Sequence, residues 1–130
     1  MLQKLLYPGL SYELVGVCFQ VHNELGPFAR ERQYCDRLEQ LLISSKILYQ
    51  REVKINFRSA NNEVGGNIAD FIIDGKIILE CKAKRCLTRN DYHQVQRYLR
   101  ATNKELGLLV NFNEKHLKTK RVLNYLYYNS

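Results

Sequence analysis

The chain changes the period of its apolar residues several times. Leu14, Val17, Cys18, Val21 and Leu25 recur at steps of three and four. That spacing predicts an amphipathic helix over 11–25, stopped by Gly26-Pro27. Tyr34, Cys35, Leu38, Leu41 and Leu42 form a second apolar stripe and predict a helix over about 29–46. The period then drops to two. Val53, Ile55 and Phe57 alternate with Lys54 and Asn56, which predicts a strand over 49–57 with one wet face. SANNEVGG (59–66) reads as a turn. NIADFII (67–73) and KIILECKA (76–83) flank Asp74-Gly75 and predict a β-hairpin. Thr88 begins a helix to about Thr102, with Asp91 placed for a capping box and Tyr92, Val95 and Leu99 on one face. LGLLVNF (106–112) is continuously apolar and predicts an interior strand. The tail KTKRVLNYLYYNS (118–130) fits a short strand and a helix equally well. The order α-α-β-β-β-α-β predicts an α/β sandwich around a mixed sheet, in one domain over 1–130.

Composition narrows this picture. A hydrophobic fraction of 45% supplies one core. No apolar run approaches the ~20 residues that span a bilayer, so no membrane partner is expected. MLQKLLYPGL holds one Lys and no long apolar stretch, which does not read as a secretory leader; a cytoplasmic location is expected. Cys18, Cys35, Cys81 and Cys86 form no Cys-x-x-Cys pair and have no His at zinc-ligand spacing. Cys18 and Cys35 fall on helix apolar faces and read as buried free thiols. Charge is distributed unevenly. Residues 1–80 hold nine Lys/Arg against ten Asp/Glu, and residues 81–130 hold eleven against three. A near-neutral first half and a basic second half point to a polyanion, nucleic acid first, although a solvated basic surface accounts for the charge equally well.

The hairpin's second strand ends unusually. In IILECKAK (77–84) an apolar run gives way to Glu80, Lys82 and Lys84. Alternation puts these three on one face, with Cys81 and Ala83 on the other, small enough to lie beneath a helix. A two-residue loop would set Asp70 opposite Leu79. A three-residue loop, with Gly75 in a left-handed bulge, would set Asp70 opposite Glu80. Opposed carboxylates destabilise a strand pair unless a cation lies between them. A hard ion such as Mg²⁺ takes such oxygen ligands, and Lys82 beside it would orient a water or stabilise developing charge.

This Asp…Glu-x-Lys arrangement resembles the PD-(D/E)XK nuclease superfamily, and within it the GxxExxY family. The likeness extends over FQVHNELG (19–26), Glu31 with Tyr34, ADFIIDGKIILECKA (69–83), QVQRYL (94–99) and GLLVNF (107–112). One position departs: Phe28 stands where the family pattern has Gly, three before Glu31. The resemblance implies a three-layer, restriction-endonuclease-type core. It implies a nuclease site with Asp70, Glu80 and Glu31 on the metal, Lys82 and Gln94 in the catalytic set, and Mg²⁺, or Mn²⁺ in its place, as cofactor. Gln94 and Tyr98 resemble the Gln-x-x-x-Tyr helix beside that site. Lys84, Arg85, Arg89, Arg97, Tyr98 and Arg100 are then the expected nucleic-acid contacts. DNA is the expected substrate, with RNA as the alternative, and fold-level analogy suggests a homodimer.

The remaining candidates carry less. His22 reads as a helix-surface or capping residue, His93 as an exposed helix residue, and His116 lies in a basic loop. Tyr125, Tyr127 and Tyr128 fit base stacking, edge packing or a dimer contact. VGG (64–66) has no Gly-Lys-Ser/Thr after it, so no P-loop is present. Two function classes remain: a metal-dependent nuclease, and a non-catalytic nucleic-acid-binding or protein-interaction module with the same fold.

Overall fold

The computed structural model describes residues 6–57 and 67–128, with the side chains of Tyr127 and Tyr128 left out. The turn expected at 59–66, and the stacking expected of those two tyrosines, lie outside the described residues. Helix α1 spans Pro8–Leu25, three residues earlier than the apolar period announces. Pro8 occupies its first turn, where a missing N–H costs nothing. Gly26, at φ 72°, closes it with an N–H donated to the His22 carbonyl at 2.8 Å. Helix α2 spans Glu31–Ser44, and the Gln33 side chain accepts the Arg30 N–H at its start. Strands β1 (Tyr49–Lys54), β2 (Ile68–Ile73) and β3 (Ile77–Lys82) follow, then α3 (Arg89–Thr102) and β4 (Leu106–Asn111). Thr88 and Asp91 form the expected capping box.

The undecided tail contains both elements: β5 over Lys118–Leu123 and a short α4 over Tyr125–Tyr128. Lys118, Thr119, Lys120 and Arg121 are exposed along β5, which hides the period of two from the sequence. Charged edge strands of this kind resist pairing with other chains.

The sheet order is β1-β2-β3-β4-β5. Only β3 and β4 are parallel, joined by the α3 crossover; the other neighbours are antiparallel. All six residues of β4 are buried, as its unbroken apolar run requires. Alternation sorts the sheet's side chains onto two faces. Phe71, Ile73, Leu79, Cys81 and Leu108 pack with Leu14, Val21, Leu38 and Leu42 of α1 and α2. Ile72, Ile78, Leu109 and Val122 pack with Val95, Tyr98 and Leu99 of α3. The result is a three-layer α/β/α core. Helix α3 sits tightly on β4 because residue 107 is glycine: a Cβ there would lie 2.5 Å from Val95 Cγ1.

Candidate active site

The β2–β3 loop decides the site. Ile73 pairs with Ile77, so the loop is the three-residue Asp74-Gly75-Lys76, and Lys76 N–H donates to the Ile73 carbonyl at 2.9 Å. Asp74 (φ 51°) and Gly75 (φ 63°) are both left-handed, a conformation that Asp tolerates and Gly adopts freely. Of the two registers the sequence allows, this is the one that brings Asp70 to Glu80.

Regular pairing ends at Phe71↔Leu79. One step further, side chains replace the ladder. Asp70 N–H donates to Glu80 Oε1 at 2.7 Å, and Cys81 N–H donates to Asp70 Oδ2 at 2.8 Å. On the other side of β2, pairing skips from Arg51↔Phe71 to Val53↔Ala69, with Glu52 at φ 53° between them. Strand β2 is thus loosened from both neighbours at Asp70. Each carboxylate has one oxygen held by a backbone N–H. The other oxygen makes no hydrogen bond among the described residues.

Burial makes these groups unwilling anions. Glu80 is 2% exposed. Burial pushes its carboxyl up to about 8; Asp70 and Glu31 add to the shift, while the Asp70 N–H and Lys82 oppose it. Burial also raises Asp70, against the Cys81 N–H, Lys82 and Arg51. Glu31, the first residue of α2, is raised by partial burial and then by Asp70. Asp70 raises both Glu80 and Glu31, and Glu31 raises Glu80; carboxyl groups so placed are hard-oxygen donors suited to a divalent cation, whose charge would remove the repulsion.

A hydrogen-bonded chain holds the lysine. Lys82 Nζ donates to Gln94 Oε1 at 2.9 Å, Gln94 Nε2 donates to Tyr98 Oη at 3.2 Å, and Tyr98 Oη donates to the Ile68 carbonyl at 3.2 Å. The pair Gln94 and Tyr98, four apart on α3, therefore ties Lys82 back to the start of β2. Burial, with Glu80 and Asp70, pushes the Tyr98 phenol up to about 12, so it stays a donor. This corrects one expectation. Tyr98 is 1% exposed, so its ring lies in the α3 core and not against nucleic acid.

The basic residues divide. Lys84 Nζ is 2.9 Å from Asp91 Oδ2. Burial works against ionising Asp91, but the Thr88 N–H and Lys84 outweigh it and hold its carboxyl below the usual range. Lys84 is thus a partner of the α3 cap as well as a candidate phosphate contact. Arg85, Arg89, Arg97 and Arg100 are exposed. Arg97 and Arg100 share a groove with Asn56 and Phe57. Arg89 lines a different one, beside Tyr92 and Lys120. His22 departs from its surface reading: it is buried, with Nε2 2.8 Å from the Glu114 carbonyl.

Several side chains take parts at the site that the sequence did not assign them. Tyr34 stacks on Phe112 at 4.4 Å, donates to the Gly26 carbonyl and accepts the Ala29 N–H, which braces the loop leading to Glu31. Asn111 holds residue 84 by both backbone groups, at 2.8 and 3.1 Å. Arg51 bridges Asp36 and Glu39 and also lowers the pKa of Asp70. Cys35 and Cys81 each bring a sulfur within 4.8 Å of an Asp70 oxygen and of one another. Neither spacing nor period announces that meeting, because α2 and β3 are joined only by the fold.

Comparison with known proteins agrees with this architecture. The family model for the PD-(D/E)XK nuclease superfamily matches residues 8–122. No curated protein sequence matches the chain. Among solved structures, SSO0001 superposes with a TM-score of 0.54 at 20% identity, over 85% of this chain and 65% of that one. The chain therefore spans slightly under two thirds of that protein's length. An alkaline exonuclease (LHK-Exo) from Laribacter hongkongensis gives a TM-score of 0.46 at 10% identity, over 93% of this chain and 72% of that one.

Proposed function

The chain belongs to the PD-(D/E)XK nuclease superfamily, and from that premise we propose that it is a metal-dependent nuclease hydrolysing phosphodiester bonds, with DNA its first substrate and RNA the alternative. One observation carries the reading. Asp70 and Glu80 are held against each other by reciprocal bonds to backbone N–H groups, at the point where β2 parts from both its neighbours. Setting a buried Glu80 against the half-buried Asp70 costs stability, which a bound cation would offset.

Glu31, Asp70 and Glu80 would hold Mg²⁺, or Mn²⁺ in its place. Such an ion supplies an acidified water and neutralises phosphoryl charge. Lys82, anchored by Gln94 and lying 3.9 Å from Asp91, orients the attacking water and faces the negative charge that develops on the phosphoryl oxygens. Gln94 and Tyr98 are positioning residues, since they act through Lys82. Arg97 and Arg100, on the same helix, receive the phosphate backbone, with Arg85, Arg89 and Lys84 as further contacts. Within the superfamily we place the chain with the GxxExxY family on Glu31 and Tyr34, whose brace on residues 26–29 stands with Phe28 in the glycine's position.

The test is cleavage of linear, circular, single-stranded and branched DNA, and of RNA, in Mg²⁺, Mn²⁺ and EDTA. Wild-type protein should cleave only with metal, and Asp70→Asn and Lys82→Ala should not cleave. Binding of nucleic acid without cleavage, unchanged by metal and by both variants, would replace the nuclease with a binding module.

A further inference from the structure

The buried thiols beside the carboxylates have no part in the reading above. Cys35 is on α2 and Cys81 on β3, and both are free. Their sulfurs and an Asp70 oxygen all lie within 4.8 Å of one another. A tetrahedral ion with sulfur at about 2.3 Å and oxygen at about 2.1 Å needs its donors about 3.5–3.8 Å apart, which small side-chain rotations supply. Access is open on one side: Cys35 and Asp70 line a groove with Glu31, Arg32, Arg51 and Glu52. Arg51 lines the same groove and would offset part of the residual negative charge of two thiolates and a carboxylate around one divalent ion.

We propose that Cys35, Cys81 and Asp70 form a second metal site, selective for a thiophilic divalent cation such as zinc or cadmium, which shares Asp70 with the oxygen-ligand set of Glu31, Asp70 and Glu80. Soft thiolates favour zinc and cadmium, whereas carboxylate oxygens suit magnesium and manganese. Occupation of the thiol site holds the Asp70 carboxylate on Cys35 and Cys81 and withdraws it from an ion shared with Glu31 and Glu80. The site itself does not depend on the nuclease reading; its inhibitory consequence does.

The experiment titrates reduced, metal-free protein with Cd²⁺ and follows the ultraviolet charge-transfer band of cadmium–thiolate bonds. One equivalent should saturate the band in wild type. Cys35→Ser, and Cys35→Ala should the serine variant fold poorly, should weaken binding about tenfold or more. Asp70→Asn should keep the band and weaken binding by about tenfold. Cys86→Ser, at an exposed thiol, should change nothing. No band, or a band that survives Cys35→Ser and vanishes with Cys86→Ser, overturns the site. Unchanged affinity in Asp70→Asn overturns the sharing of Asp70. In protein that cleaves with Mg²⁺, stoichiometric Zn²⁺ should abolish cleavage, and Cys35→Ser should resist it relative to its own rate in Mg²⁺ alone. Saturation by Zn²⁺ with cleavage intact overturns the sharing as well. A wild-type band in protein that never cleaves refutes the nuclease and supports the thiol site.

Discussion

The two ends of the β2–β3 hairpin obey opposite rules. Near the turn, Ile72 and Ile73 pair with Ile78 and Ile77, all four are buried, and the ladder is regular. Every level of the structure agrees there: strand propensity, alternation, burial and hydrogen bonding. Two residues away, Glu80 is as buried but Asp70 only half so, and there carboxylates stand in for the backbone ladder and burial drives their pKa values up. The first end is arranged for stability. The second gives up stability for a pocket of poised negative charge, as functional sites do.

Substitutions should separate the two ends. The largest effect expected is on cleavage: Glu80→Gln should lower kcat by about 10³-fold or more while leaving the fold intact, measured by turnover on the substrate that wild type cuts best. Equal cleavage by this variant would remove Glu80 from the chemistry. At the turn end the effect should fall on stability instead. Ile78→Ala, which empties part of the α3 core, should cost about 2–5 kcal/mol in denaturant unfolding.

Next comes the pH response of metal-free protein. Glu80 rises from the ordinary carboxyl value to about 8 in the folded chain, so between those two values the folded state keeps a proton that the unfolded state releases. Stability should be full in acid below the ordinary Glu range and decline as pH rises to about 8, and Glu80→Gln should flatten the slope. A Tm that climbs from pH 5 to 8 would contradict the shift. Added Mn²⁺ should raise Tm most at the alkaline end, where the carboxylates are ionised. The smallest effect returns to the turn. Gly75→Ala, at φ 63°, should cost about 1 kcal/mol, with Asp70 and Glu80 still in register and cleavage unchanged. Loss of cleavage in folded Gly75→Ala protein would show that the register is softer than the ladder suggests.

Much of the architecture was legible because period is a local property. The stripes of α1, α2 and α3, the alternation of β1 and the unbroken apolar run of β4 each follow from residues within one segment. Helix ends moved by two or three residues because caps depend on neighbours: Pro8 starts α1 early, and Arg30 with Gln33 starts α2 late. Strand β5 was ambiguous because an edge strand with four exposed residues in a row carries no period; only pairing with β4 makes it a strand.

By itself, the sequence determined which side chains could share a face. Glu80 and Lys82 had to lie together because strand side chains alternate, and the basic second half was plain in the order of charges. Tertiary structure decided what they would meet. The Asp74-Gly75 turn is compatible with two loop lengths, and packing of Ile73 and Ile77 in one core and Ile72 and Ile78 in the other selects the register that joins Asp70 to Glu80. Burial of Tyr98, its reach to Gln94, and the meeting of Cys35 with Cys81 and Asp70 likewise join segments far apart in the chain. No local pattern encodes such distances, because they depend on how three layers close around one sheet.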